Sequence, residues 1–266
     1  TKTQNNVTNN ALFVGSTSVG KTFTAKKIAK YFFGNERSFL QLNMSEYQDK
    51  TGISKLMGAN AGYVGYEEGG LLTEYVRNNP NCVVLFDEVE KCEPKVLDIL
   101  LHILDEGYAT DNLNRKIDFS KTVVVMTSNV GHKEKTKRSM GFVQDSENHE
   151  NVYKNSLKKY FRPELLARVD EVIVFNDLGE KDLLKIIKAE LSAIQHRLEE
   201  RNIKISFTKK VENYILNKIK LEKNHARQIK NAVKVLLQVP ISNHIVKNRG
   251  IDKISINVVD KSLEFV

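Results

Sequence analysis

Apolar residues in the first two thirds of the chain fall into short continuous runs, Ala11 to Val14, Cys82 to Phe86 and Thr122 to Met126, each ending in a polar or glycine-rich cluster. Unbroken runs of that length read as buried strands of an α/β sheet. After the first run the period changes. Ala25, Ile28, Ala29 and Phe32 recur at helical spacing from near Phe23, and Gly34 stands where a C-terminal cap belongs. Beyond Asn176-Asp177 the pattern predicts a helix over Lys181 to Glu200, a short strand over Ile203 to Phe207, two further helical segments and a β-like stretch over Lys253 to Val259. Pro240 is expected to interrupt the last helical region. The chain therefore divides into an α/β large subdomain, 1–176, and a mostly helical small subdomain, 177–266.

The junction of the first strand and helix carries the chemistry. Gly15, Ser16, Thr17, Ser18, Val19, Gly20, Lys21 and Thr22 fit the phosphate-loop pattern G-x-x-x-x-G-K-[ST]. The two glycines let backbone N-H groups approach phosphates, Lys21 supplies a point charge, and Thr22 offers a hydroxyl to Mg²⁺ at the positive end of a helix. A nucleoside triphosphate with Mg²⁺ is the expected ligand, which the resemblance described next makes ATP. The second run ends in Asp87-Glu88, where Asp87 orders the metal shell and Glu88 acts as general base on the attacking water. The third ends in Thr127-Ser128-Asn129, whose amide is placed to hold that water or touch the γ phosphate. Strands ending at one site in this way describe an α/β nucleotide-binding fold.

From about Ala11 to Phe175 the chain resembles the second ATPase module of the Clp family of AAA+ protein unfoldases, most closely the ClpC type. The resemblance rests on Met44-Ser45-Glu46-Tyr47, Gly62 to Gly70, Phe86 to Lys91, Met126 to Asn129 and Phe161-Arg162-Pro163-Glu164. It implies an AAA+ P-loop ATPase fold with a parallel sheet, working as a homo-hexameric ring that threads substrate polypeptide through a central pore. Asn129 then matches the first sensor, Arg168 the arginine finger acting on a neighbouring subunit, and Arg227 the second sensor acting in cis. Gly62, Tyr63, Val64 and Gly65 match the pore loop, in which an aromatic ring between glycines grips an extended chain without sequence preference. Met140, Gly141 and Phe142 match the hydrophobic-Gly-Phe tripeptide that docks on a ClpP-type protease, and six such copies gain through effective concentration.

Departures from the family pattern open a second reading, a degenerate module that binds nucleotide mainly to hold a ring together. Ser16 and Ser18 replace Pro and Gly, His225 replaces Gly, and Asn60 and Ala61 stand where proline is common. Residues 1–10 do not match the upstream segment that completes the family's adenine pocket, so the chain reads as a piece of a longer protein.

Charge changes this picture little. The formal net charge is +8, yet 31 Lys against 10 Arg, with 25 Asn, are dispersed and not interleaved with aromatics, which argues against a nucleic-acid partner. That composition is what an AT-rich gene encodes, as in a relict plastid genome or a low-GC bacterium. The sequence given shows no signal-peptide pattern and no apolar run near 18 residues, so a soluble protein without a membrane partner is expected. Cys82 and Cys92 form no metal-ligand pattern and read as reduced thiols.

Overall fold

The computed structural model describes residues 9–35, 37–49, 51–59, 62, 69–131, 149–220, 225–248, 250–260 and 262–265, without the side chains of 149–152, 220, 225 and 226. The chain folds as two compact units divided at Asn176/Asp177, with Thr17–Val19 grouped with the second.

The first unit is built on five strands, β1 (Asn9–Gly15), β2 (Phe39–Asn43), β3 (Val83–Asp87), β6 (Val123–Ser128) and β7 (Glu171–Phe175), all parallel in the order β2-β3-β6-β1-β7. Side chains alternate across it, and both faces of the three central strands are covered, which is why β1, β3 and β6 read as unbroken apolar runs. Leu12, Val14, Val84, Phe86, Val124 and Met126 enter one core, and Phe13, Val83, Leu85 and Val125 enter the other with Ala25 and Ala29. Those alanines lie on α1 (Lys21–Phe33), which starts two residues before the expected Phe23 and ends at Gly34 with φ +76°. Helices α2 (Thr51–Met57), α3 (Leu71–Asn78) and α4 (Pro94–Glu106) follow β2 and β3, and a short antiparallel ribbon, β4 (Tyr108–Thr110) with β5 (Lys116–Asp118), precedes β6. Helices α5 (His149–Tyr160) and α6 (Pro163–Arg168) lead into β7.

The second unit contains α7 (Glu180–Glu199), β8 (Lys204–Phe207), α8 (Lys209–Lys220), α9 (His225–Val233), α10 (Val239–Lys247), β9 (Lys253–Val259) and β10 (Ser262–Phe265). Leu183, Ile187, Leu191 and Ile194 of α7 pack with Val211, Ile215, Ile229, Ile254 and Ile256. One expectation fails here. Pro240 does not break the helical run, because a π-helical turn over Lys234–Gln238 widens the backbone directly ahead of it and accommodates the ring. The last strand, β10, pairs antiparallel with β9 and was not foreseen, its Ser-Leu-Glu-Phe being too short to show a period.

Candidate nucleotide site

Strand register gathers the predicted residues. Since β1 lies between β6 and β7 and β6 also pairs with β3, the C-terminal ends of β1, β3 and β6 share one edge, with Val14 opposite Ser128 and Phe86 opposite Met126. The loop that leaves β1 requires its glycines. Gly15 has φ +149°, and a Cβ there would sit 2.6 Å from the Phe175 carbonyl; Gly20, at φ +104°, has open space where its Cβ would be. Ser18 adopts φ +64° in the left-handed region without being glycine.

Lys21 folds back into this loop, donating to Gly15 O and Ser16 O, each at 2.7 Å, and to Asn129 Oδ1 at 2.9 Å. Burial pulls its pKa down to about 8 against the opposing pull of Glu90, Asp87 and Glu88. An ammonium that has surrendered water for backbone carbonyls gains most from an anion. Thr22 Oγ1 donates to Asp87 Oδ2 at 3.2 Å, Gln41 Nε2 donates to the same oxygen at 2.9 Å, and Thr127 Oγ1 donates to Asp87 Oδ1. A hydroxyl and one carboxylate suit a divalent cation that takes its remaining ligands from nucleotide oxygens and water. Among the described residues no three His, Cys, Asp or Glu side chains converge as a metal cluster.

Glu88 lies just past the strand end with φ +62°, a strained conformation of the kind that persists where surroundings enforce it. Its own N-H donates to Thr127 Oγ1 at 2.9 Å. Its carboxylate accepts from Asn129 Nδ2 at 3.0 Å, Ser45 Oγ at 3.3 Å and Lys91 Nζ at 2.5 Å. The Lys91 hydrogen bond, before the bonds from Asn129 and Ser45, holds Glu88 below the usual carboxylate range, so it is an ionised acceptor at neutral pH. Asn129 thus bridges Lys21 and Glu88. Lysine can only donate and a carboxylate can only accept, which fixes the orientation of the amide.

Other predicted residues stand apart from this cluster. Arg168 ends α6, and its guanidinium pairs with Asp105 of α4 at 2.9 Å. Arg227 is exposed on α9 of the second unit. Tyr63, Val64 and Gly65 lie outside the described residues, as do Met140, Gly141 and Phe142; Gly62 is exposed with φ +91°. Burial pushes the thiols of Cys82 and Cys92 up to about 11 and about 12, so neither is a nucleophile at neutral pH. Sequence reasoning missed Gln41, Ser45, Glu90, Lys91 and Thr127. Ser45, Glu90, Lys91 and Thr127 stand in stretches that carry the family resemblance but were given no role, Thr127 also opens the polar strand tip, and Gln41 carried no signal.

A family profile described as AAA domain (Cdc48 subfamily) matches residues 6–172. The chain belongs to the AAA ATPase family. A second profile, described as the C-terminal, D2-small domain of ClpB protein, matches residues 178–258 of this AAA module. The chaperone protein ClpB of Prochlorococcus marinus is 40% identical over 259 residues, covering 96% of this chain and 30% of its own length. A protein named ATP-dependent Clp protease ATP-binding subunit ClpA homolog, from Porphyra purpurea, is 39% identical over 247 residues, covering 90% of this chain and 30% of its own. Among solved structures, a closed-state cryo-EM reconstruction of Hsp104 with ATPyS and FITC casein aligns with TM-score 0.85 and 34% identity, covering 98% of this chain and 45% of that one. These comparisons group the AAA module with the second module of Clp and Hsp100 proteins and do not single out the ClpC type. The chain spans less than a third of the curated relatives it matches.

Proposed function

We propose that the chain is an ATP-hydrolysing motor module of a Clp or Hsp100 protein unfoldase. The observation that carries this reading is the Asn129 carboxamide held between Lys21 and Glu88, which joins the phosphate-binding charge to the general base through one polarisable group. In this reading Lys21 and the loop backbone from Gly15 to Gly20 hold the phosphates, and Thr22 and Asp87 hold Mg²⁺, which neutralises phosphate charge. Glu88 takes a proton from the water that attacks the γ phosphorus, ADP leaves, and Asn129 orients that water. Arg168 serves the site of a neighbouring copy in a hexamer. Its exposure and its exchangeable Asp105 partner fit a group that must change partners, and Arg227 acts from the small subdomain.

In this reading Gly62, Tyr63, Val64 and Gly65 pull the substrate polypeptide. The Hsp104 structure, described as holding ATPyS and casein, supports both halves of this reading, nucleotide and polypeptide. The alternative, a module that only binds nucleotide, is disfavoured because Lys21, Asp87, Glu88 and Asn129 are all present and Asn129 bonds both the lysine and the base.

Two partner readings follow. Met140, Gly141 and Phe142, with the name of the Porphyra relative, support docking on a ClpP-type protease. The ClpB profile and the Prochlorococcus relative favour a chaperone that works without that protease. The richness in Lys and Asn supports a plastid-type organelle or a low-GC bacterium as the source, and among the described residues no helix is long and apolar enough to cross a membrane.

The test is unfolding of a tagged folded protein by the full-length protein. Tyr63→Ala is expected to stop unfolding while ATP turnover survives, and joint loss of both would make Tyr63 structural. Phe142→Ala should abolish co-sedimentation with the protease under the first partner reading, and no co-sedimentation with unmutated protein supports the second.

A further inference from the structure

Beyond Ser128 the chain leaves the sheet: β1 pairs with β6 as far as Ser128 and β3 only as far as Met126. The N-H of Asn129 therefore has no ladder partner. Glu90, in the short 3-10 turn Val89–Lys91 after the acid pair, takes it, with Oε1 accepting from Asn129 N at 3.0 Å. The other oxygen, Oε2, is buried and accepts no hydrogen bond among the described residues. Holding a backbone amide needs one acceptor, which an uncharged side chain could supply, and a half-used buried carboxylate costs desolvation. Its place offsets that cost. Glu90 fixes the backbone of the residue whose side chain meets Lys21 and Glu88, and it sits two residues after Glu88, so one turn sets the base and the amide together.

We infer that Glu90 is a positioning residue for ATP hydrolysis, acting through the backbone of Asn129. It touches neither the nucleotide nor the attacking water. Its bond to the Asn129 N-H keeps the carboxamide aimed between Lys21 and Glu88, and the 89–91 turn passes any displacement of Glu88 to Asn129. The inference rests on the hydrolytic reading of the site.

The experiment measures ATP turnover and ADP affinity in the full-length protein, counting as this site's rate the part that Glu88→Gln removes. Loss of one charge-assisted hydrogen bond that positions the amide should lower that rate about ten- to hundredfold in Glu90→Ala. At about pH 6, where Lys21 stays charged even without the Glu90 carboxylate that raises its pKa, ADP affinity should change less than about threefold, since the phosphate contacts are untouched. Glu90→Gln keeps an acceptor for the Asn129 N-H and should recover most of the rate, and adding Glu90→Ala to Asn129→Ala should cost nothing further. A full rate in Glu90→Ala would overturn the inference and leave the site's assignment standing. So would equal losses in the presence and absence of the Asn129 side chain, or no recovery in Glu90→Gln, either of which would make Glu90 a general structural support. Full turnover in Glu88→Gln would overturn both readings.

Discussion

Asn129 donates its amide hydrogen to Glu88 Oε1 at 3.0 Å while its carbonyl accepts from Lys21. A single side chain therefore ties the tip of β6 to the tip of β3 and to the phosphate loop. Asn129→Ala removes a preorganised donor and should lower ATP turnover at this site about 100-fold. Nucleotide affinity should hold, because Lys21 keeps its backbone partners. Equilibrium binding and steady-state turnover on one preparation check this, and a matching loss in both would place Asn129 in binding.

Lys21 makes nucleotide affinity pH-dependent in a stated direction. Burial lowers its pKa from 10.5 to about 8. Below about 8 the lysine is charged in both the folded and the unfolded chain; between there and 10.5 the unfolded chain holds more protons, so the Lys21 contribution to stability rises with pH through that window. Phosphate binding favours the ammonium and runs the other way. Above about pH 8 binding must take up a proton, and ADP affinity should fall by up to about tenfold per pH unit. Calorimetry in two buffers of different ionisation enthalpy should give a buffer-dependent binding heat at about pH 9 and none at about pH 7. Buffer independence under the alkaline condition would contradict it.

Ser18 occupies a left-handed position at φ +64°, which costs an L-residue about 1–2 kcal/mol. Ser18→Gly relieves that strain, less the extra freedom glycine brings to the unfolded chain, for a net gain of about 0.5 to 1 kcal/mol. The urea midpoint should rise, and a lowered midpoint would mean that the serine side chain contributes more than its backbone costs. Gly15→Ala should do the opposite, since its Cβ meets the Phe175 carbonyl at 2.6 Å.

Arg115 closes a charged cluster at the β4–β5 turn. It pairs with Asp111 at 2.6 Å and also with Glu74, which in turn binds Arg77 at 2.6 Å. The Asp111 side chain is fully buried, while about a third of Arg115 is exposed. Arg115→Ala leaves Asp111 with only the N-H groups of Leu113 and residue 115 and should cost about 2 kcal/mol, below the cost of breaking a fully buried pair because water reaches this one. Denaturant unfolding measures it, and Arg115→Ala within about 0.5 kcal/mol of the parent would show that backbone donors alone satisfy Asp111.

Strands β1, β3 and β6 and the phosphate loop were legible because each is a local signal, whereas the edge strands β2 and β7 and the β4–β5 ribbon were not foreseen. Apolar runs mark β1, β3 and β6, and the glycine spacing of Gly15 and Gly20 is dictated by backbone geometry within a single loop. The contacts of Gln41, Ser45 and Glu90 were not legible. For the first two, register between elements far apart in sequence decides: Asn43 stands opposite Asp87 across β2 and β3, which puts Gln41 and Ser45 within reach of the acid pair. The role of Glu90 depends in the same way on where β6 ends beside β3. The position of Arg168 was read from the family pattern, but its Asp105 partner depends on α4 lying beside α6. Pro240 misled because the π turn ahead of it, which accommodates the ring, leaves no residue signature.

The most direct test of the central claim, that Lys21 binds the phosphates and Glu88 drives their hydrolysis, is ATP binding and turnover measured together in Lys21→Ala and Glu88→Gln of the full-length protein. Lys21→Ala should lose binding at this site. Glu88→Gln should bind ATP as tightly as the parent, because the base contributes to chemistry and not to phosphate contact, and should lose this site's turnover by about 100-fold or more. Equal loss of binding in both variants, or undiminished turnover in Glu88→Gln, would contradict the account.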